Sequence, residues 1–447
     1  MIKKIADVLK FKLGIDRAVF WATVNKIFGV ISGLSIIYFL INFLSPKEQG
    51  LWYTFVSLSA LTVFAELGFT TIITQFVSHE FAKLKEENNL IKGEPMRLDR
   101  FMGFVYFAIR FFFMVIPVAI IILTTAGYFY FRGMSPIIFL AWFCFSLVAG
   151  LNLFMALLQS IYQGIDRVKE VQINTLVYSI VAILCNCIML VLHFKIWALV
   201  LGNLVGLLVE AILFYKIAPN FWNQVIFFKI QKKYNFLKET LPLQWRYAIS
   251  WSSGFLIFYL YVPAIYKFVG PVQAGQFGLT MAMVGAITSV SNGWVLTKMP
   301  RINMFVANKK RSDLDVLFKK SLLQCLAVQL ILSAVLIIFV FELEKYFPNI
   351  AVRFSPMLLT VLFLAAQFAQ TIINCMAIYL RAHKEEPFVW LSALNALLMV
   401  AAIFMILARF KVVALLWSVN IIYWLIMLPL ATCVFLSKKK VYINKYY

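Results

Sequence analysis

Long apolar runs follow one another along the chain and are separated by short polar segments. Nearly every position within a run is apolar, so the runs lack the period of a half-exposed strand or of a surface helix. Each has about 20 or more residues, enough for a helix to cross the ~30 Å hydrocarbon core of a bilayer. The predicted spans are 19–44, 51–77, 102–130, 136–163, 173–193, 196–217, 245–266, 274–297, 320–341, 354–380, 388–408 and 412–437. The pattern predicts an all-α integral membrane protein with about 12 transmembrane helices.

Composition agrees with this class, and the basic residues orient the chain. Of the 447 residues, 63% are hydrophobic and 13% are charged, whereas soluble proteins carry about 25% charged residues. If both termini are cytoplasmic, the cytoplasmic segments hold 31 of the 41 lysines and arginines, and the opposite segments hold eight. This is the positive-inside pattern of multi-pass proteins. Basic loops beside an anionic inner leaflet also account for the net charge of +22, so no nucleic-acid partner is expected.

The N-terminal stretch "MIKKIADVLKFKLGIDR" lacks a cleavage site of small residues that follows a short apolar core. Ile2, Ile5, Leu9 and Leu13 fall on one face of a helix. The stretch is therefore predicted to be an interfacial helix on the cytoplasmic side.

Parts of the sequence repeat one another. "LSPKEQGLWYTF", between the first two spans, matches "VGPVQAGQFGLT", between the seventh and eighth, at an offset of 225 residues. This offset aligns Pro46 with Pro271 and Gly50 with Gly275. Weaker matches follow in the same order at offsets of 217 and 216 residues. Together they indicate a duplicated unit of six spans.

The duplication predicts two pseudo-symmetric six-helix lobes, 1–218 and 219–447, with a linker at about 218–244. An even number of spans keeps both copies in the same orientation. Transporters built from such parallel repeats bind their substrate between the halves and work by alternating access. The sequence therefore favours a transporter over a receptor or an integral-membrane enzyme.

Four charged residues fall well inside the predicted spans of the first half, away from their ends: Lys26, Glu66, Arg110 and Glu210. At 1.5 Å per residue they lie roughly 10–16 Å from the cytoplasmic ends of their helices. A lone charge that faces lipid costs about 2.5–3.5 kcal/mol, so each should point inward and have a partner. The expected arrangement pairs Glu66 with Arg110 or Lys26, and Glu210 with the remaining cation.

The segment "LSPKEQGLWYTFVSLSALTVFAELGFTTIITQFVSHE" (Leu44 to Glu80) resembles the polysaccharide and O-antigen flippases of the multidrug/oligosaccharidyl-lipid/polysaccharide (MOP) exporter superfamily. The resemblance includes the small-Pro turn, the Gly-x-aromatic entry to the second span and the "ELGF" motif. It implies a fold like that of the multidrug and toxin extrusion (MATE) transporters, with two six-helix bundles in a V around a central cavity. It also implies a place in the bacterial cytoplasmic (inner) membrane.

The activity implied by the resemblance is the movement of undecaprenyl-pyrophosphate-linked oligosaccharide from the cytoplasmic to the periplasmic leaflet. The partners are then this lipid-linked glycan, membrane lipids, and the polysaccharide polymerase with its chain-length machinery. No catalytic residue, metal site or bound cofactor is expected. A proton or sodium gradient is the driving force that the sequence leaves open.

Such a substrate gives the intramembrane charges two alternative roles. In the functional interpretation, Lys26, Arg110 and Arg246 line a vestibule that holds the pyrophosphate, while Glu66 or Glu210 titrates to couple transport to an ion gradient. In the structural interpretation, paired charges hold the first bundle together.

Four amide residues are candidate sugar contacts: Asn25, Gln367, Gln370 and Asn374. Asn25 precedes Lys26, and the other three share one face of the tenth span at i, i+3 and i+7. A polar stripe of this kind also binds neighbouring helices or cavity water, so both roles stay open.

Three other functions compete with the flippase. A cation-coupled multidrug exporter of the same fold typically uses an acidic residue in its first span, and none lies between Val19 and Leu44. The flippase for the peptidoglycan precursor usually has two more spans and a more cationic cavity. A membrane glycan polymerase or ligase needs a large outer loop, whereas the longest one predicted here is about 342–353.

Overall fold

The computed structural model describes residues 17–232, 234–383 and 387–446, so the interfacial helix predicted around Ile2 to Leu13 lies outside the described part. Its membrane-spanning segments, numbered one to twelve, are Arg17–Phe43, Pro46–Glu66 with Phe69–Phe81, Pro95–Phe131, Pro136–Gly164, Val168–Val191, Trp197–Ile217, Phe236–Phe258 with Tyr261–Phe268, Pro271–Leu296, Arg311–Tyr346, Met357–Arg381, Val389–Leu407 and Arg409–Tyr442. The shorter elements are the helices Pro219–Phe227, Met299–Ala307 and Pro348–Ala351 and the antiparallel strands Lys85–Glu87 and Leu90–Lys92.

The spans correspond one for one to the twelve apolar runs of the sequence. Ten of the described helices are individually long and apolar enough to cross a bilayer, and there are twelve spans if each of two bent pairs counts as one. The bends are 51° in the second span and 45° in the seventh. The prediction of an all-α membrane protein with about 12 spans is confirmed.

The second span begins at a capping box. The Ser45 backbone N–H donates to the Glu48 carboxylate over 2.8 Å, and the Glu48 N–H donates to the Ser45 hydroxyl over 3.3 Å. Pro46 occupies the first helical turn, where its missing N–H costs no hydrogen bond. The segment "SPKE" therefore fixes the point at which the chain enters this helix.

The chain divides into two compact units. The first unit contains the chain up to Leu44 together with Leu58–Trp251, and the second contains Ser45–Ser57 together with Ser252–Tyr447. The first unit thus includes the second span from Leu58 onward and the seventh span up to Trp251. The two six-span lobes predicted for 1–218 and 219–447 stay a prediction.

Aromatic side chains hold the second, third and seventh spans together in the first unit. The Phe69 and Phe111 rings lie 4.4 Å apart between centroids, and the rings of Phe104 and Phe236 meet edge to face at 5.3 Å. Phe69, Phe104 and Phe236 are all buried. These contacts fix the third span relative to the half-helix Phe69–Phe81 of the second, and the start of the seventh relative to the third.

The linker before the seventh span is attached to the start of the third. The buried Asp99 carboxylate accepts hydrogen bonds from the backbone N–H groups of Gln231 (2.6 Å) and Lys232 (3.2 Å). Beside it, the Arg100 guanidinium bonds to Glu80 over 2.9 Å and to Glu239 over 2.7 Å. Asp99 thus satisfies two backbone donors of an otherwise irregular segment.

We expect Asp99→Ala to release this linker. A hydrogen bond to a charged group contributes about 1.5–3 kcal/mol, so without the carboxylate the segment should open more often. Trypsin cleavage after Lys229 or Lys232 in the purified protein should then accelerate about tenfold, as a loss of about 1.4 kcal/mol predicts. Asp313→Ala, at an exposed position, is the control. Unchanged cleavage of the Asp99 variant would show that the carboxylate does not hold the linker.

In the second unit, the duplicated motif contacts its own copy. A Cβ atom placed on Gly50 would lie 1.8 Å from the Pro271 carbonyl oxygen, and one on Gly275 would lie 2.7 Å from the Gly50 nitrogen. The Gln49 amide donates to the Gly275 carbonyl over 2.9 Å and to the Arg353 carbonyl over 3.1 Å. Backbone approaches backbone here, which only glycine at both positions allows.

Candidate functional site

The second span is broken at Leu67 and Gly68. Both residues are in the left-handed region, with φ of 52° and 73°. Gly68 also has no space for a side chain, since a Cβ atom would lie 2.5 Å from Cδ1 of Trp251. In "ELGF" the glycine therefore permits a turn inside an apolar helix. Irregular backbone at membrane depth occurs where it is buried in protein or lines a cavity, and in transporters it often marks the binding site.

The backbone groups freed by this break find side-chain partners. The Glu66 carboxylate accepts hydrogen bonds from the Thr70 backbone N–H (3.2 Å) and from the Thr70 hydroxyl. It thereby caps the N-terminus of the half-helix Phe69–Phe81, where the helix dipole favours a negative charge. The Gln244 amide, from the seventh span, donates to the Leu67 carbonyl over 3.0 Å. The glutamate inside this apolar run is thus a capping residue.

Capping predicts different results for two substitutions at Glu66. Glu66→Gln retains an acceptor oxygen for the Thr70 N–H and should leave the melting temperature close to that of the wild type. Glu66→Ala removes the cap and should destabilise the half-helix by about 1 kcal/mol. Thermal unfolding of the two purified variants distinguishes them. Equal destabilisation by both would contradict the capping role, and loss of transport in stable Glu66→Gln would assign coupling to this residue.

Arg110 lies in the third span, which packs against the broken segment through Val63–Glu66. Its side chain is exposed, and no carboxylate of the described residues lies within 4.0 Å of it. The neighbouring Phe111 packs on Phe69, at the start of the half-helix. Among the described residues, Arg110 is therefore a cation without an ion-pair partner, on a span that packs against the break.

Lys26, in the first span, is likewise exposed and has no carboxylate within 4.0 Å among the described residues. Its neighbour Asn25 donates a hydrogen bond to the Gln172 side chain of the fifth span over 3.2 Å. Asn25 thus links two helices, and its predicted role as a sugar contact stays a prediction.

Arg246 lies in the seventh span, two residues after Gln244, which bonds to the break. Its guanidinium is exposed and lies 5.4 Å from the centroid of the Trp245 ring. On the same helix, the Tyr247 hydroxyl accepts a hydrogen bond from Gln75 over 2.8 Å. This part of the seventh span brings an arginine to the same unit as Lys26 and Arg110.

The ion pairs predicted from helix depth are absent from the described part of the chain. Glu66 bonds to Thr70, and Glu210 accepts a hydrogen bond from Gln159 over 2.8 Å. No lysine or arginine lies within 4.0 Å of either carboxylate among the described residues. Depth gave the height of each charge along its helix but not the face on which it lies, so the predicted pairing was wrong.

The three amides of the tenth span lie in the second unit. The Gln370 amide donates to the Asn374 side-chain oxygen over 3.0 Å, whereas the Gln370 Oε1 atom is buried without a hydrogen-bond partner among the described residues. Gln367 lines a small cavity together with Tyr261 and Tyr423. Their role as sugar contacts stays a prediction.

Within the described residues, the first unit therefore contains a broken helix and two cations that have no carboxylate within 4.0 Å. Lys26 and Arg110 lie within spans, and facing lipid alone would cost each about 2.5–3.5 kcal/mol. They are suited to face water or an anionic ligand. The described residues contain no group of three or more metal-ligating side chains. Gln244 and Tyr247 were not among the residues predicted from the sequence. The signal for Gln244 was Gly68, because the carbonyls beside a helix break need donors.

Comparison with known proteins finds similarity in structure but not in sequence. No family model matches the chain, and no curated protein matches it. A multidrug resistance MATE family transporter of the MOP superfamily aligns with a TM-score of 0.65 at 12% identity, covering 94% of this chain and 95% of that chain. The lipid II flippase MurJ aligns with a TM-score of 0.64 at 10% identity, covering 95% and 87%. The structure of a MATE in the bent conformation aligns with a TM-score of 0.56 at 12% identity, covering 94% of this chain and 95% of that chain. The chain therefore has the fold of MATE family transporters and of MurJ, as the resemblance implied.

Proposed function

We propose that the protein is a flippase for undecaprenyl-pyrophosphate-linked oligosaccharide, an O-antigen or other surface polysaccharide repeat unit. It moves this substrate from the cytoplasmic to the periplasmic leaflet by alternating access. The observation that carries the proposal is the presence of two cations, Lys26 and Arg110, inside spans and without a carboxylate partner in the described part of the chain.

A lipid pyrophosphate needs cations because its charge cannot cross bare hydrocarbon. Arg110 offers planar donors that match phosphate oxygens in pairs, and Lys26 adds a compact point charge. Arg246 contributes a third cation from the seventh span. A ligand with two phosphates compensates several such charges at once.

Among the described residues, Glu66 forms no ion pair with Lys26 or Arg110. Its carboxylate is directed at the N-terminus of the half-helix Phe69–Phe81, where it bonds to Thr70. The partial positive charge of that helix end, roughly half an elementary charge, offsets part of the negative charge. The arrangement thus leaves Lys26 and Arg110 available to an external anion.

The remaining parts of the proposal follow from the substrate. A flippase of this kind resides in the bacterial inner membrane, with both termini cytoplasmic as the basic loops predict. A proton or sodium gradient drives it. The polymerase and chain-length machinery receive the glycan on the far side. Sugar contacts by Asn25, Gln367, Gln370 and Asn374 belong to the same proposal.

The fold itself also supports a second candidate, a cation-coupled multidrug exporter. A MATE multidrug transporter and a lipid II flippase align almost equally well, with TM-scores of 0.65 and 0.64. Because one fold can host both functions, the residues of the candidate site have to distinguish the flippase from the exporter. Lys26 and Arg110, which have no carboxylate within 4.0 Å among the described residues, repel organic cations and attract anionic substrates, which favours the flippase.

Reconstitution tests the proposal. Proteoliposomes with a labelled polyprenyl-pyrophosphate oligosaccharide in the inner leaflet are probed with a membrane-impermeant reagent that modifies the outer leaflet only. The flippase makes more than half of the label accessible over time, while protein-free vesicles do not. Export of a fluorescent organic cation by the same vesicles, with no movement of the lipid-linked sugar, would overturn the proposal in favour of the exporter.

A further inference from the structure

One face of the seventh span contacts the break in the second span. Gln244, Tyr247 and Trp251 share this face at i, i+3 and i+7. Gln244 bonds to the Leu67 carbonyl, and the Trp251 ring packs on Gly68. All of these residues belong to the first unit. The proposed cation site gives this face no contact with the substrate.

The Trp251 ring rests on the turn with one edge and leaves the other edge open. The three atoms nearest to a Cβ atom on Gly68 are Cδ1, Nε1 and Cγ of Trp251, at 2.5, 2.7 and 3.1 Å. All three belong to the five-membered ring of the indole, so the six-membered ring extends away from Gly68. Trp251 is 44% exposed. The turn therefore holds an open aromatic surface in a defined place.

Trp251 also lies near the middle of its span, 15 residues after Phe236 and 17 before Phe268. Tryptophans of the interfacial belts lie at the ends of spans, where their N–H groups reach water. The indole N–H of Trp251 makes no hydrogen bond to the described residues. Contact with lipid would leave this donor unpaired, so the exposed ring is suited to a water-accessible surface.

A polar pair lies one turn before Trp251. The amide of the exposed Gln75 donates to the Tyr247 hydroxyl over 2.8 Å. Polar side chains within spans face the bundle interior or water in preference to lipid. Tyr247 and Trp251 are four residues apart and therefore neighbours on one side of the helix. The aromatic surface and the polar pair thus face the same water-accessible side.

The break connects this face to the proposed phosphate site. Phe69, which follows Gly68, packs on Phe111 with 4.4 Å between ring centroids, and Phe111 is the neighbour of Arg110. In the proposed substrate the first sugar is bonded directly to the pyrophosphate, so a site for this sugar has to lie close to the cations.

We propose that Trp251, Tyr247 and Gln75 bind the sugar ring that is attached to the pyrophosphate, an inference that rests on the proposed flippase function. The open edge of the Trp251 indole stacks on the apolar C–H face of a pyranose ring. The Tyr247 hydroxyl, which accepts from Gln75, donates its own hydrogen to a sugar hydroxyl, and the Gln75 oxygen accepts from another. A prenyl chain would gain nothing from the amide and the hydroxyl, whereas a sugar uses both.

Native mass spectrometry of the purified full-length protein measures the preference for the sugar. The protein is mixed with equal amounts of undecaprenyl pyrophosphate and of the lipid-linked oligosaccharide extracted from cells that lack the gene. The wild type should favour the sugar-bearing lipid at least tenfold. Trp251→Leu should lose about tenfold of this preference while binding undecaprenyl pyrophosphate like the wild type. Trp251→Phe, which keeps a smaller ring, should be intermediate.

Two further variants keep the result specific. Trp390→Leu replaces a tryptophan that is 69% exposed in the second unit, and it should retain the wild-type preference. Tyr247→Phe removes only a hydroxyl and should lower the preference about fivefold, so it tests the site even if Trp251→Leu does not accumulate.

The outcomes separate this site from the proposed function. If Trp251→Leu weakens binding of both lipids by one factor, the tryptophan only supports the break, and the sugar site is overturned. Equal binding of both lipids by the wild type would also overturn the sugar site, although the pyrophosphate site would stand. A wild type that binds neither lipid would overturn the proposed function and this inference with it.

Discussion

Replacing Arg110 by alanine is expected to abolish translocation of the lipid-linked glycan while the protein still accumulates in the membrane. Arg110 has no carboxylate partner within 4.0 Å among the described residues, so its removal leaves no described anion unpaired. The loss of a charge-assisted contact to a desolvated phosphate costs about 2–5 kcal/mol, or roughly 30-fold or more in affinity. Translocation in reconstituted vesicles, normalised to the amount of protein, measures the effect.

The matched variants make this result specific. Arg110→Lys keeps the charge but loses the paired donors, and we expect intermediate transport. Arg132→Ala removes an exposed arginine in the turn after the third span and should transport at the wild-type rate. If Arg110→Ala fails to accumulate, the arginine is a structural element. If it accumulates and transports normally, it does not bind the pyrophosphate.

Replacing Gly50 by alanine is the second change for which we expect a large effect. The new Cβ atom would lie 1.8 Å from the Pro271 carbonyl oxygen, a contact with backbone that cannot rotate away. Overpacking of this kind costs about 1–3 kcal/mol, occasionally more. The melting temperature of the purified protein should fall by several degrees, and transport should fall with it.

Gly29→Ala is the control for Gly50→Ala, and we do not expect it to destabilise the protein. A Cβ atom on Gly29 would meet nothing within 4 Å, so Gly29→Ala should leave the protein unchanged or slightly more stable, because alanine favours helix more than glycine does. Gly275→Ala should resemble Gly50→Ala, since its Cβ atom would lie 2.7 Å from the Gly50 nitrogen. Equal stability of Gly50→Ala and Gly29→Ala would show that the two backbones do not meet at this point in solution.

The fold could be predicted from the sequence because hydrocarbon thickness dictates span length. Every run of about 20 apolar residues became a span, since the backbone in lipid must bond to itself. The ends of the spans were predicted less accurately. The third span begins at Pro95 and the ninth at Arg311, before the predicted starts at 102 and 320. Polar helical turns extend beyond the apolar run, and hydropathy cannot detect them.

The local conformation of the second span was harder to predict. The sequence singled out Glu66 but predicted a cation partner, whereas the structure shows a break at Leu67 and Gly68 with Glu66 as a cap. A glycine in an apolar run is compatible with both a straight and a broken helix, and the tertiary contact with Trp251 decides between them. The repeat indicated that Gly50 and Gly275 are equivalent, but not that they touch.

In the candidate site, too, the sequence identified rare residue types but not the contacts that tertiary packing creates. Lys26 and Arg110 were identified because charges are rare within spans. Gln244 was not, since an amide at the start of the seventh span has no distinctive spacing and acquires its role only by reaching the Leu67 carbonyl. Rotation of each helix about its axis is set by packing, and a single sequence does not contain that information.

The most direct test of the central claim uses cells from which the gene is deleted. Undecaprenyl-pyrophosphate-linked oligosaccharides are extracted, and their leaflet is determined by accessibility to a membrane-impermeant reagent in intact cells and in inverted vesicles. A flippase predicts complete repeat units on the cytoplasmic face, loss of surface glycan, and restoration by the wild-type gene but not by Arg110→Ala. Normal surface glycan together with new sensitivity to cationic drugs would contradict the flippase and identify a multidrug exporter.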